Sequence, residues 1–353
     1  MQISLQTVSS VAAKINKKFK NYVLGLMLTL GSKNCTSMAR ELLVKSKIYY
    51  DYLRLPSLVQ DLIKNRLKKL SENIFLESRS TTLIVDTTFI PKPFASLLQN
   101  LGHHFDGVQK RVNKGLCLVV IAKSDGKSVL LRDFKFYIAK KTCKESYKTK
   151  IEIAKELIEE YYHEFNPDYV CMDGGFMSES MIRFLKSIKA KYIMRIPCNR
   201  LVMINGNYTR LSAHKELRLI KNYRTLTKSG YYKGIKCFFT IQKRKTRNGY
   251  KSVFLVSNIA VDARSQLKLY SNRWPIEKSF RTMKQKLGLS DCRMITNSQQ
   301  TIHILAVFFT FSLLEIEKIY KRKKSVDEIL NLLRFKKEPS FFEQFLELIT
   351  IYI

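Results

Sequence analysis

The sequence predicts an α/β protein: a mixed sheet covered by helices, with a helical segment ahead of it and a β-rich insertion inside it. Three observations carry this expectation. Strand-length runs of β-branched and apolar residues begin abruptly at Thr81. Stretches with apolar residues at spacings of three and four alternate with those runs. Asp125-Gly126, Asn205-Gly206 and Asn248-Gly249 fall between apolar runs, where tight hairpin turns belong.

The first 75 or so residues read as helical, because apolar positions keep helical spacing and Pro56 is the only proline there. Within them Thr36–Leu43, a break at Val44–Ser46 and Lys47–Leu53 have the lengths of a helix-turn-helix. Plain packing of two amphipathic helices is the alternative, since the break has no glycine. The apolar runs Tyr22–Leu30 and Ile304–Leu314 fall short of the roughly 20 residues that a bilayer requires, so each reads as a buried core helix.

From Thr81 the elements follow in order. Thr81–Ile90 is a buried strand interrupted by one carboxylate, Asp86. Gly115–Ala122 and Val129–Phe136 flank the Asp-Gly turn as a hairpin, and 145–164 is an amphipathic helix. Tyr169–Met172 is a strand running into Asp173-Gly174-Gly175-Phe176, followed by a helix (Ser178–Ile188) and a strand (Lys191–Ile196). Strand, hairpin, helix, strand, helix, strand is the order of a ribonuclease-H-like fold. Residues 198–260 carry both Asn-Gly turns and read as the β-rich insertion; helices resume at Asp262, with a basic break at Lys321–Lys324. The expected segments are therefore 1–78, 79–197, 198–260, 261–324 and 325–353.

Charge narrows the partners. Lys and Arg number 63 against 29 acidic residues, a formal net charge of +34 over 353 residues. Such a chain repels itself unless it meets a polyanion, so an RNA-binding protein and an enzyme acting on DNA both fit. The seven cysteines (35, 117, 143, 171, 198, 237, 292) are odd in number and widely spaced, which disfavours disulfides and zinc sites and points to a reducing cytoplasm. Lys14, Lys17, Lys18 and Lys20 break any signal-peptide pattern. The five histidines show no ligand spacing, and His103-His104 reads as a surface-loop pair. There is no glycine-rich phosphate loop, so no nucleotide cofactor is expected.

Three carboxylates stand where a core has no use for them. Asp86 interrupts an apolar strand, and burying it costs several kcal/mol without a partner or a metal. Asp173 ends a strand ahead of two glycines, where sites of α/β sheets lie. Glu277 belongs to a helix dense in aromatics and cations. Singly, each is more often a turn, cap or surface residue. Together, carboxylates from a strand, a strand end and a helix can hold two hard divalent ions, the requirement of phosphodiester displacement.

The block Tyr270-Ser271-Asn272-Arg273-Trp274-Pro275-Ile276-Glu277, continuing to Lys284, resembles the DDE transposases of prokaryotic insertion sequences, in the group called insertion sequence family four. Tyr270, Arg273, Glu277 and Lys284 match that group's Tyr-Arg-Glu-Lys signature at every spacing. Asp173-Gly174-Gly175-Phe176 and Asp86-Thr87-Thr88 match its two aspartate blocks, and the resemblance spans about 80–320. On a helix at about 100° per residue, Arg273, Glu277 and Lys284 share one stripe, and Pro275 suits a first turn.

The resemblance implies Asp86, Asp173 and Glu277 as catalytic ligands of two Mg2+ (or Mn2+) ions, and Tyr270, Arg273 and Lys284 as contacts to DNA phosphate. It implies metal-dependent cleavage at transposon ends and strand transfer into target DNA, with double-stranded DNA as partner. A homodimer or larger synaptic assembly is implied, working in the prokaryotic cytoplasm at the nucleoid, with residues 1–78 as a DNA-binding domain. Relatives carry an insertion between the second aspartate and the glutamate, often with a tryptophan that stacks on a flipped base. Here the only tryptophan is Trp274, inside the signature, which leaves Tyr231, Tyr232 or Phe238 for that place. A catalytically dead DNA-binding derivative and a nuclease that cuts without joining are the alternatives.

Overall fold

The computed structural model describes residues 5–75, 78, 80–107, 109–140, 147–219, 224–246, 249–336 and 339–353. Cys143, Arg79 at the expected segment boundary, the first two residues of the expected 145–164 helix and Asn248 of the second insertion turn lie outside them.

Four helices come first: α1 (Leu5–Leu28), α2 (Cys35–Glu41), α3 (Lys47–Leu53) and α4 (Leu58–Ile74). Then follow β1 (Thr82–Pro91), β2 (Gly102–Asp106), β3 (Arg111–Ser124), β4 (Val129–Tyr137), α5 (Lys150–Phe165), β5 (Tyr169–Met172), α6 (Glu179–Ser187) and β6 (Tyr192–Arg195). The insertion supplies β7 (Leu201–Ile204), β8 (Asn207–Arg210), β9 (Thr225–Tyr232), β10 (Ile235–Thr246) and β11 (Gly249–Ser257). The chain closes with α7 (Ala263–Ser271), α8 (Trp274–Lys286), α9 (Asn297–Tyr320), α10 (Val326–Asn331) and α11 (Pro339–Tyr352).

The strands form one sheet in the order β2-β3-β1-β5-β6-β11-β10-β9-β7-β8, with β4 on β3. β1 runs antiparallel to β3 and parallel to β5, and β5 runs parallel to β6. This is a large mixed sheet flanked by helices, the ribonuclease-H-like arrangement that the element order predicts. The insertion is not a separate sheet: β11 pairs antiparallel with β6, Leu255 opposite Arg195, and carries the core sheet onward.

Local chemistry explains the boundaries. Thr149 and Glu152 close a capping box at the start of α5, and Ser178 caps α6. Asn205 and Gly206 both take positive φ (50° and 79°), giving the two-residue I′ turn between β7 and β8. Gly126 turns β3 into β4 with φ 86°, and a side chain there would collide with the Asn272 amide. One expectation is corrected. His103-His104 is not a surface loop but part of β2, which pairs with β3; His103 faces outward, while His104 is buried against Phe89 and Tyr137.

One face of the sheet packs on α5 and α6 through Val85, Val119, Leu157 and Ile182. The other packs on α8 and α9 through Ile84, Val120, Ile276 and Phe309, and the same apolar cluster takes in Phe19, Tyr22, Tyr52 and Leu67 of the first four helices. The N-terminal helices thus share a core with α9. Tyr22 and His303 fasten them: His303 Nε2 donates to Gly288 O at 3.0 Å, so its Nδ1 accepts the Tyr22 hydroxyl at 2.8 Å. Burial lowers the His303 pKa to about 4, which keeps that acceptor neutral. Asp133, buried on β4, accepts from Lys64 Nζ at 2.5 Å and Tyr161 Oη at 2.6 Å, tying α4 and α5 to the sheet. The apolar runs are core helix over Tyr22–Leu28 in α1 and Ile304–Leu314 in α9, whereas Leu30 lies past the end of α1 and is exposed; among the described residues no helix is long and apolar enough to cross a membrane.

Candidate active site

Parallel pairing creates the site. Val85 on β1 lies opposite Met172 on β5, so Asp86 and Asp173 follow at one level on neighbouring strands whose backbones run about 4.8 Å apart. Alternation turns Val85 and Met172 into the core under α5, and it turns the next residue of each strand to the opposite face, toward α8. Asp173 leads a single 3-10 turn, Gly174–Phe176, and its side chain makes no capping bond there.

α8 brings the third acid. It starts at Trp274 with Pro275 in its first turn, where a missing N–H costs nothing. Glu277 falls in that same turn, at the positive end of the helix dipole. Arg273, at the N-cap position, forks between the acids: Nη1 donates to Asp86 Oδ2 at 2.6 Å, and Nη2 donates to Glu277 Oε1. The other Asp86 oxygen accepts the Thr87 N–H at 2.8 Å. The Arg273 guanidinium lies over the Tyr270 ring, 5.5 Å from its centroid, and its Nε has no partner among the described residues. Tyr270 is buried at the end of α7, and its carbonyl accepts the Cys171 thiol on β5 at 3.9 Å. Asn272 wedges the block in place by donating to the Tyr169 hydroxyl at 2.8 Å.

Electrostatics record the crowding. Burial pushes the Asp86 carboxyl up to about 6. Arg273 and the Thr87 N–H pull it back, while Asp173 and Glu277 push the same way as burial. Burial disfavours the Arg273 charge, yet Asp86, Tyr270, Glu277 and Asp173 together hold the guanidinium firmly protonated. Burial raises Tyr270 above the usual phenol range. Lys284 stands apart. Burial lowers its pKa, and the acidic groups opposing that shift are Asp106 and Cys117 rather than the three carboxylates.

The structure therefore gathers Asp86, Asp173, Glu277, Arg273 and Tyr270, and seats Lys284 on the same helix nearer β2. Sequence reasoning missed Asp106, which lies on the unforeseen strand β2 and also accepts the Asn113 amide at 3.2 Å. Three hard carboxylates with no soft donor among them suit a divalent ion such as Mg2+. Among the described residues, however, no three acidic, His or Cys side chains group closely enough to hold one; Arg273 bonds one oxygen of Asp86 and one of Glu277. The donor chemistry fits, and the guanidinium serves as the cation of the site.

A mixed sheet with this strand order, flanked by helices on both faces, defines the ribonuclease-H-like class of fold. Comparison with protein families agrees: the family model described as "Transposase DDE domain" matches residues 77–313. That is well over half of the chain, and the chain belongs to this transposase family. No curated protein matches it.

Proposed function

We propose that this chain is a cut-and-paste DNA transposase of the insertion sequence family four type, with Asp86, Asp173 and Glu277 as its catalytic carboxylates. The convergence of these acids around Arg273, at the level where β1 and β5 run side by side, is the observation that carries the reading. Held by the three carboxylates, two Mg2+ or Mn2+ ions would supply activation of the attacking oxygen and charge stabilisation at the leaving oxygen. The chain's own groups do the rest. Arg273 neutralises the acids at rest, and its unpartnered Nε–H is the donor left for the edge-on grip of a phosphate. Tyr270 stacks beneath it and fixes its plane. Lys284, on the same helix, holds a neighbouring phosphate. Cleavage at the element's ends frees a 3′-hydroxyl, which attacks target DNA. Residues 1–78 recognise the ends, and the working form is a homodimer or larger assembly on two ends, at nucleoid DNA in a prokaryotic cytoplasm.

Glu277→Gln tests this. The amide keeps shape but removes a charge that a divalent ion needs. Mg2+-dependent cutting of a labelled inverted-repeat duplex should collapse while gel-shift binding persists, and Asp86→Asn and Asp173→Asn should do the same without additivity. Normal cutting by Glu277→Gln would remove it from the site. Tight binding without cutting by the unaltered chain, in Mg2+ and in Mn2+, would favour a catalytically dead DNA-binding protein.

A further inference from the structure

Among the described residues, the distal half of the β10–β11 hairpin pairs almost only with itself. β9 accompanies β10 only as far as Gln242, opposite Thr225, with one further bond from Lys243 N to Arg224 O at 2.9 Å. β6 accompanies β11 only from Leu255 onward, with one bond from Ile196 N to Phe254 O at 3.0 Å. Among the described residues, 243–246 and 249–252 therefore form a two-stranded ribbon with no third strand. Lys243, Arg244, Lys245, Tyr250, Lys251 and Ser252 are all exposed, so neither face of the ribbon is covered. An isolated two-stranded ribbon is marginal in water.

The charge pattern worsens it. Arg244 sits directly opposite Lys251, a like-charge cross-strand pair that opposes folding. On the other face Lys243 lies over the Tyr250 ring, 5.1 Å from its centroid, beside Lys245. From Leu217 to Val261 the chain holds eleven Lys and Arg and no Asp or Glu, so no acid of that stretch offsets them. A two-faced cationic ribbon with an exposed aromatic suits a polyanion as its partner. Its form selects which one: a two-stranded ribbon fits the major groove of B-form DNA, whereas the deep, narrow major groove of an RNA helix excludes it.

We propose that residues 243–245 and 250–252 form a DNA-reading ribbon that enters the major groove of duplex DNA. Arg244 and Lys251 meet the backbone on one face, and Lys245 and Tyr250 meet base edges on the other. The inference rests on the reading that this chain works on duplex DNA, and it adds a surface that the catalytic triad does not require.

The test uses the full chain and a mixed-sequence DNA duplex. Lys251→Glu replaces repulsion from Arg244 with attraction, so the thermal midpoint should hold or rise. DNA affinity should nevertheless drop by about fivefold or more, and the log–log salt slope should become shallower by about one or two. The unaltered chain should protect guanine N7 from dimethyl sulfate, and Lys245→Ser with Tyr250→Ser should abolish that protection. An RNA duplex of the same sequence should not distinguish this double variant from the unaltered chain. Unchanged affinity and slope in Lys251→Glu, or N7 protection that survives the double variant, would overturn the ribbon. If the unaltered chain cuts its ends and the variants bind as it does, the ribbon alone fails; if the unaltered chain binds no duplex, the DNA reading falls with it.

Discussion

Removing the guanidinium of Arg273 should expose how much of the site is held by charge. Arg273→Ala deletes both arms of the fork and leaves Asp86, 9% exposed, facing Asp173 and Glu277 with only the Thr87 N–H for support. Breaking a fully buried pair costs about 3–5 kcal/mol. The Glu277 arm adds little, because its side chain is 38% exposed and screened by water. Proton uptake by Asp86 limits the rest, which brings the expected loss to about 3 kcal/mol at pH 8.

The sign with pH follows from the position of Asp86. With Arg273 present its folded pKa is already raised, from 3.8 to about 6, so it favours the folded chain in acid and that contribution is lost as pH rises through about 6. Without Arg273 the folded pKa climbs further. The variant should therefore differ least near pH 5, by about 1 kcal/mol, and most near pH 8. Urea unfolding at both pH values, in buffer with a chelator, reads this as a midpoint shift of about 1 M or more at pH 8. Equal midpoints at pH 8 would show that the fork does not hold in solution.

Two further outcomes are expected. Lys284→Ala should slow cleavage of an inverted-repeat duplex at least tenfold without changing the Mn2+ affinity of the chain, measured by electron paramagnetic resonance, since Lys284 faces Asp106 and Cys117 rather than the three acids; a rate equal to that of the unaltered chain would remove it from the DNA path. Arg40→Ala with Lys47→Ala, on the exposed faces of α2 and α3, should lower the preference for inverted-repeat ends over random duplex about tenfold and leave the thermal midpoint in place. Retained preference would take end recognition away from these helices. Substitution is the cleaner test here, because deleting the N-terminal helices would strip Phe309 and His303 of their core partners.

Much of this architecture is legible in the sequence where one physical rule dominates. Thr81–Ile90 reads as a buried strand because its side chains are apolar or β-branched, and Asp86 stands out there for the same reason; the strand observed is Thr82–Pro91. The start of α8 follows from Pro275, and the β7–β8 turn from Asn205-Gly206. What stays hidden depends on distant partners. β2 is five residues of mixed polarity that become a strand only through pairing with 111–115. The junction of insertion and core rests on Ile193–Arg195 meeting Leu255–Ser257, a contact no local pattern announces. Nor does helical spacing reveal that Arg273 would grip Asp86, which lies on another element. Arg273, Glu277 and Lys284 share a stripe, yet the last is about two turns beyond Glu277 and answers to different neighbours.

The unbroken run of strands from β1 through β5, β6 and β11 to β10 has a metric consequence. A module joined by a hinge can swing and sample many separations, but strands bonded edge to edge hold a nearly constant span. A duplex gripped at residues 243–245 and 250–252 would meet the carboxylates at a set number of base pairs from that grip. The sheet would then act as a ruler that selects the scissile phosphate by length. Adding or removing one strand between β6 and β10 would move the cut along the helix, while lengthening a surface loop would not.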